Sequence, residues 1–355
     1  MSRKTRKRRS QKLGLAPGTL VHVGERRTAQ PEITLLEYDA GGLKESRLAA
    51  ATASGLARGA GTLWLNVHGL HETAVMADIG RRFGLHPLVL EDILNTDQRP
   101  KVDDYGDYLF IVVRFFALDA AAGSIGSDQV SMVLGADFVL TFQERPTGTL
   151  EPLRERLRGD KGQIRKLGAD YLAYAILDLL VDSYFSVLEQ LTERTEALED
   201  SLLQQATPAL LREIHEIKRE ATAMRRAVWP LREVINSLTR TEQRFFRQET
   251  QPYLRDIYDH AVHVIESLDS IRDLIAGMLD IYLSSVSNRV NLEVRILTVI
   301  ATLFMPAALI AGIFGMNFHN MPLIGDNEGF LVALGMMGAI ALVMVTIFWR
   351  RRWLH

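Results

Sequence analysis

The chain has 355 residues, no cysteine, 41 Lys and Arg against 43 Asp and Glu, and an apolar share of 47%. Without thiols there is no disulfide scaffold, thiolate zinc site or iron–sulfur cluster, so any metal must be met by oxygen or imidazole, a set that leans toward hard cations. The near balance of charge conceals a basic start: Arg3, Lys4, Arg6, Lys7, Arg8, Arg9 and Lys12 have no acid among them, and the rest of the chain is net acidic, which argues against a nucleic-acid-binding body. No apolar stretch follows as a signal peptide requires, and residues 1–17 are expected to form a disordered basic tail.

Short runs rich in β-branched and aromatic residues, parted by Gly, Asp and Pro, predict strands at Thr19–Val23, Ile33–Tyr38, Thr62–Val67, Tyr108–Phe116, Val130–Leu134 and Phe138–Phe142. His71–Phe83 and Pro87–Leu94 read as helices, the second with proline in its first turn. Residues 18–165 are therefore expected to be an α/β domain. Beyond it the strand signal vanishes. Helices are predicted over Asp170–Gln205, with a break at Thr207-Pro208, and over Ala209–Gln248, kinked at Pro230. A third starts at Pro252 and, if continuous to Met316, is roughly 100 Å long at about 1.5 Å per residue. That exceeds a bilayer, so residues 166–290 are expected to stand as a helical stalk, and so long a helix favours an oligomer.

Two runs carry no charge: Ile296–Met316 and Phe330–Trp349. Each meets the roughly 20 apolar residues that a bilayer core demands, so residues 291–355 read as a transmembrane hairpin. Arg289 and Arg295 precede the first run and Arg350, Arg351 and Arg352 follow the second, while the loop between holds Asp326 and Glu328 but no Lys or Arg. The positive-inside rule then puts the loop outside and both chain ends in the cytoplasm.

The long helix from Pro252 to Met316 has a heptad stripe: Asp280, Ser284, Ser287, Asn291, Val294, Thr298, Ala301, Met305, Ala308 and Gly312 follow alternating steps of four and three. A tight coiled coil would put Leu and Ile there, but Leu292, Ile296, Leu303 and Ile310 fall off the stripe. A polar or small stripe suits several identical helices around water. Small-residue packing within the membrane would account for Ala301, Ala308 and Gly312, but not for Asp280 or Asn291. The first uncharged run ends in Gly315-Met316-Asn317, where Gly315 suits a helix C-cap and Asn317 sets a carboxamide at the stripe's outer end. A ring of amide oxygens could hold the waters of Mg²⁺ without stripping them, whereas a ring of carboxylates would bind the ion too firmly to release it.

Several stretches together resemble the CorA magnesium and cobalt transporters: PGTLV from Pro17, GLHPLVLEDILNTDQRPK from Gly84, WPLREVI from Trp229, YLSSVSN from Tyr282, TLFMPAALIAGIFGMNF from Thr302 and the ending RRRWL from Arg350. The resemblance spans nearly the whole chain. It implies an α+β/α fold: an N-terminal α/β cytosolic domain, a long helical stalk and two C-terminal transmembrane helices, assembled as a funnel-shaped homopentamer in the cell (inner) membrane. It implies passive inward transport of Mg²⁺ and of Co²⁺, with Gly315, Met316 and Asn317 as selectivity filter. Asp280 and Asn291 would line the cytoplasmic half of the pore, with Leu297 and Met305 as hydrophobic constrictions. It implies further that Asp92 and Asp256 bind a regulatory Mg²⁺ between neighbouring cytosolic domains, with Glu91, Asp178, Asp182 and Asp259 as accessory carboxylates. His319 and Leu323 stand where the family often has acids, and Ala308 where it often has Thr, which bears on cation capture.

Asp178, Asp182, Glu189, Glu193, Glu196 and Asp200 share one helix face, readable as an acidic sheath or as an ordinary solvated face. His260 and His263 read as an exposed pair with no third metal ligand in view, and His68 and His71 as structural. No GxxxxGK[ST] loop offers ATP-driven pumping, and no enzyme is expected. The reading is an Mg²⁺ importer closed by internal Mg²⁺, its partners membrane lipid, divalent cations and further copies of itself. The alternatives are a zinc transporter of the related ZntB type and a non-conducting membrane-tethered scaffold.

Overall fold

The computed structural model describes residues 14–48, 61–119, 124–240, 244–316 and 328–351, and residues 1–13 of the tail expected over residues 1–17 lie outside them. The chain divides into two compact units, one of Met1–Asp200 with Arg212–Ala276, the other of Ser201–Leu211 with Gly277–His355.

The described residues of the first unit hold seven strands: β1 (Glu32–Asp39), β2 (Gly42–Leu48), β3 (Thr62–His68), β4 (Lys101–Asp104), β5 (Tyr108–Asp119), β6 (Ser124–Gly135) and β7 (Phe138–Gln143). They form one sheet in the order β2-β1-β3-β7-β6-β5-β4, antiparallel except where β3 lies parallel to β7. Strand alternation sends Leu63, Leu65 and Val67 of β3 to one face. There they join a core with Val75, Met76 and Ile79 of α1 (Thr73–Phe83) and Val89 and Ile93 of α2 (Pro87–Leu94). Gly80 permits the close approach of these two helices, since a Cβ there would lie 2.4 Å from Leu90 Cδ1. The other face carries a buried polar ladder, with Asn66 opposite Thr141 and His68 opposite Gln143. Asn66 Nδ2 and Trp64 Nε1 both donate to Thr141 Oγ1, at 2.7 and 3.0 Å, so the burial of these groups is compensated.

Three long helices complete this region: α4 (Ala169–Gln204), α5 (Pro208–Leu238) and α6 (Gln251–Phe314), preceded by the short α3 (Glu151–Arg158). Buried residues on α5 (Ile214, Ile217, Ala221, Met224, Val228) and on α6 (Leu254, Ile257, Ala261, Val264, Leu268) recur at steps of three and four, the spacing of one apolar helix face. Arg194 of α4 pairs with Glu220 of α5 at 2.6 Å, and Arg225 of α5 with Asp269 of α6 at 2.8 Å.

Three expectations need correction. Thr19–Val23 is no strand: Val23 makes one parallel bridge to Asn95, at the end of α2, and among the described residues no strand extends it into a ladder. The helix predicted to Gln248 ends at Leu238, running on through Pro230. The chain beyond is folded back by buried Asp170, which accepts from Arg247 Nη2 at 2.6 Å and from Thr250 Oγ1 at 2.7 Å. Strands β2 and β4 and helix α3 were not expected at all.

In the second unit, the C-terminal part of α6 and helix α7 (Gly329–Arg350) carry the two uncharged runs. Among the described residues, three helices are long and apolar enough to cross a membrane: α4, α6 and α7. Their most apolar windows differ sharply in burial, at 61% for α4, 0% for α6 and 6% for α7.

Candidate metal centre and ion path

In the first unit, α4 sets Asp178 and Asp182 one turn apart, and α6 does the same for Asp256 and His260. Asp178, Asp182 and His260 each offer a ligand atom, all within 4.8 Å of one another. Asp178 and His260 are half-buried and Asp182 is exposed. Phe185 meets the His260 ring edge-on with centroids 5.5 Å apart, and Asp256 Oδ2 lies 3.9 Å from Nε2. His260 Nδ1 is buried without a hydrogen-bond partner. This overturns the reading of His260 and His263 as an exposed pair: His263 is exposed and stacks on Phe185, but His260 turns toward the acids of another helix.

Burial first, and then the neighbouring charge of Asp182, pushes the Asp178 carboxyl up to about 6, with Asp256 adding to the effect. Two carboxylates this close repel when ionised, and a divalent cation supplies the missing counter-charge. The donor set fits such an ion on its own chemistry: carboxylate oxygens suit Mg²⁺, and an imidazole adds affinity for transition ions such as Co²⁺.

The acids of α2 are engaged elsewhere. Asp92 accepts from Lys101 Nζ at 2.7 Å and from the Gln98 side chain, and Glu91 Oε2 accepts from the Gly18 amide at 2.7 Å. Burial works against the Lys101 ammonium, but hydrogen bonds to Asp103 and Asp92 outweigh it and hold its pKa above the usual lysine value. Among the described residues of one chain, neither Glu91, Asp92, Asp256 nor Asp259 joins a group of three metal-capable side chains. Asp259 is exposed, as are Glu189, Glu193, Glu196 and Asp200 on α4.

In the second unit, every stripe residue from Asp280 to Gly312 is exposed in the single chain, as is Leu297 beside it. Val299, Leu303, Ile310 and Phe314 are half-buried and fall on the opposite side of a 3.6-residue helix. A groove of about 360 Å³ runs along the exposed side, lined by Leu297, Thr298, Ala301, Thr302, Met305 and Pro306. The Thr298 hydroxyl donates to the Val294 carbonyl at 2.7 Å, which leaves its oxygen lone pairs outward as acceptors. Helix α6 ends at Phe314, and the Gly315 amide still donates to the Ala311 carbonyl at 2.9 Å. Gly315 thus follows the helix directly, at the expected C-cap position, with a φ outside the left-handed region. Met316 is exposed, while Asn317, His319, Leu323 and Asp326 lie outside the described residues.

Sequence reasoning missed His260 and Lys101. The ligand atoms of His260 and Asp178 converge across 82 positions of chain, and no local pattern announces that. The amine on Asp92 had a visible signal: Lys101 closes the same stretch, GLHPLVLEDILNTDQRPK, that contains the acid.

The profile of CorA-like Mg²⁺ transporter proteins matches residues 59–352. The chain is 43% identical to the cobalt/magnesium transport protein CorA of Thermotoga maritima over 349 residues, 98% of this chain and 99% of that protein. Among solved structures, the complete CorA magnesium transporter of Methanocaldococcus jannaschii has the same fold, with a TM-score of 0.78 at 21% identity over 92% of this chain and 99% of that one. The ZntB cytoplasmic domain of Vibrio parahaemolyticus shares the fold over 74% of this chain and 99% of its own, with a TM-score of 0.57 at 13% identity. With an N-terminal α/β domain, a long helix and two exposed apolar helical runs, this is a membrane protein, and it belongs to the family of CorA-like Mg²⁺ transporter proteins.

Proposed function

We propose that the chain assembles as a homopentamer in the cell inner membrane, crossing it twice with both ends cytoplasmic, and passes Mg²⁺, and Co²⁺, inward as hydrated ions. It is not an enzyme. The observation that carries this reading is the exposed line from Asp280 to Gly312, small or polar at nearly every position, within a helix whose apolar window is 0% buried. Copies of that line around an axis make a wet path: Asp280, Ser284, Ser287, Asn291 and Thr298 offer oxygens, Val294, Leu297 and Met305 narrow it, Ala301, Ala308 and Gly312 leave room, and Gly315, Met316 and Asn317 form its outer filter. A potential of about 100 mV contributes about 4.6 kcal/mol to a divalent ion moving inward, so no other energy source is required.

Regulation is assigned to the carboxylates. Asp92 and Glu91 of one copy would meet Asp256 and Asp259 of the next, beside the Asp178, Asp182 and His260 cluster, and an internal Mg²⁺ would favour the closed arrangement by binding it better. Purified protein in liposomes should carry Mg²⁺ down a gradient, and Asn317→Ala should abolish flux while the assembly keeps its size. Undiminished uptake by that variant removes Asn317 from the filter; no flux from intact wild-type assemblies removes the transport reading itself. A zinc preference in competition with Mg²⁺ would instead favour the ZntB-like alternative.

A further inference from the structure

Within the unit that holds the sheet, the loop before β4, strands β5 and β6 and the middle of α5 enclose a groove of about 1160 Å³. Its charge is one-sided: Arg99, Arg114, Arg225 and Arg226 line it against a single acid, Asp97. Arg114 is fixed in the wall, its Nε donating to Ser127 Oγ at 2.7 Å, and Asp97 lies 3.7 Å from its guanidinium. Arg225 is paired at 2.8 Å with Asp269, which does not line the groove. Arg99 and Arg226 are exposed and have no ion-pair or hydrogen-bond partner among the described residues. At one end stands Trp229, 44% exposed, with the guanidinium carbons of Arg225 and Arg232 at 5.2 and 4.8 Å from its ring centre.

Guanidinium groups bind oxyanions through paired planar donors, and several around one groove repel one another until an anion enters. Four guanidiniums around one groove are compensated more fully by several linked oxyanions than by one. The groove is also larger than the roughly 300–1,000 Å³ of ordinary small-ligand pockets, room for a ligand with several linked anionic groups. Trp229 adds an aromatic surface of the kind on which a heterocyclic base stacks.

We propose that this groove binds a polyphosphate chain, free or carried on a nucleotide, with Arg99 and Arg226 as its unpaired anchors. The assignment does not depend on the transport reading, because none of these residues belongs to the ion path or the metal cluster. The test is calorimetric titration of the full-length protein in detergent, with EDTA present to keep divalent ions off the ligand, using ATP and inorganic tripolyphosphate as probes. Both should bind, more weakly as salt is raised. Arg99→Glu and Arg226→Glu should each raise Kd tenfold or more for both probes, and Arg99→Gln and Arg226→Gln severalfold, with unfolding temperatures unchanged because both residues are exposed and unpaired. Trp229→Ala then separates the sources: a loss confined to ATP assigns a nucleotide, and equal binding of both probes by wild type and variant assigns free polyphosphate. No binding of either probe at millimolar concentration, or binding that the charge reversals leave intact, overturns the proposal.

Discussion

Helix α4 and the C-terminal part of α6 are alike in composition and opposite in surroundings. Both hold a window apolar enough to cross a bilayer, yet 61% of the window in α4 is buried within its own unit and none of that in α6 is. In α4, Leu172, Ile176 and Leu180 are covered by the fold, and the acids Asp178 and Asp182 interrupt the apolar surface where it meets another helix. In α6, Leu297, Phe304, Met305 and Leu309 are each more than 60% exposed. Apolar composition therefore identifies a helix that must leave water, and the contacts decide whether protein or lipid receives it.

The largest effect that would break this contrast comes from truncating one leucine in each helix. Leu180→Ala leaves a cavity in a packed core and should cost about 2–5 kcal/mol, read as a lower unfolding temperature of the unit that holds the sheet. Leu309→Ala takes nothing from the packing of its own chain, where Leu309 is exposed, and should cost less than about 1 kcal/mol. Equal losses would mean that α6 is packed as α4 is. Next is Asp170, at the start of α4, whose carboxyl is held below its ordinary pKa: burial opposes ionisation, but the Arg247 and Thr250 bonds outweigh it. Asp170→Asn should remove about 1.5–3 kcal/mol at neutral pH. The wild-type protein should lose the same contribution in acid, as pH falls through that depressed pKa. Resistance of the 244–250 segment to proteolysis reports it, and an unchanged cleavage pattern would count against Asp170 holding that segment.

The smallest effect sharpens the contrast within α4 itself, because Asp178 behaves in the opposite sense to Asp170. Its carboxyl titrates near 6 when no metal is bound, against about 4 in an unfolded chain. The metal-free protein should therefore lose this group's stabilising contribution as pH rises through about 6, and Mg²⁺ should restore it. Below pH 6 the proton competes, so the Mg²⁺ concentration giving half-maximal protease protection should rise. A midpoint indifferent to pH between 5 and 8, or unmoved in Asp178→Asn, would exclude this carboxylate as a ligand.

How much of this was legible depends on how locally each feature is determined. Pro87–Leu94 could be bounded from sequence because proline fixes the first turn and the apolar positions keep helical spacing. The run of α6 into Phe314 was legible because no breaker pair interrupts it. Strand β2 was not: GLKESRL lies on the sheet edge, mostly in contact with solvent, so nothing selects an apolar alternation. The end of α5 was hidden because Asp170, far upstream, turns the following chain. In the candidate site, the acids Asp178 and Asp182 could be seen as a helical face, but the imidazole that meets them arrives through tertiary packing alone. Asn317 was singled out by its motif alone, and the flux assay of Asn317→Ala tests its role.

The amine seated on Asp92 has a consequence for any ion that binds there. The carboxylate is occupied in advance by Lys101, so an arriving divalent cation must evict a monovalent one. Such an exchange adds one positive charge to the locality, where binding to a bare acid would add two. Occupancy then reports the ratio of ion to tethered competitor, and the length and freedom of one lysine side chain set the concentration at which the balance tips.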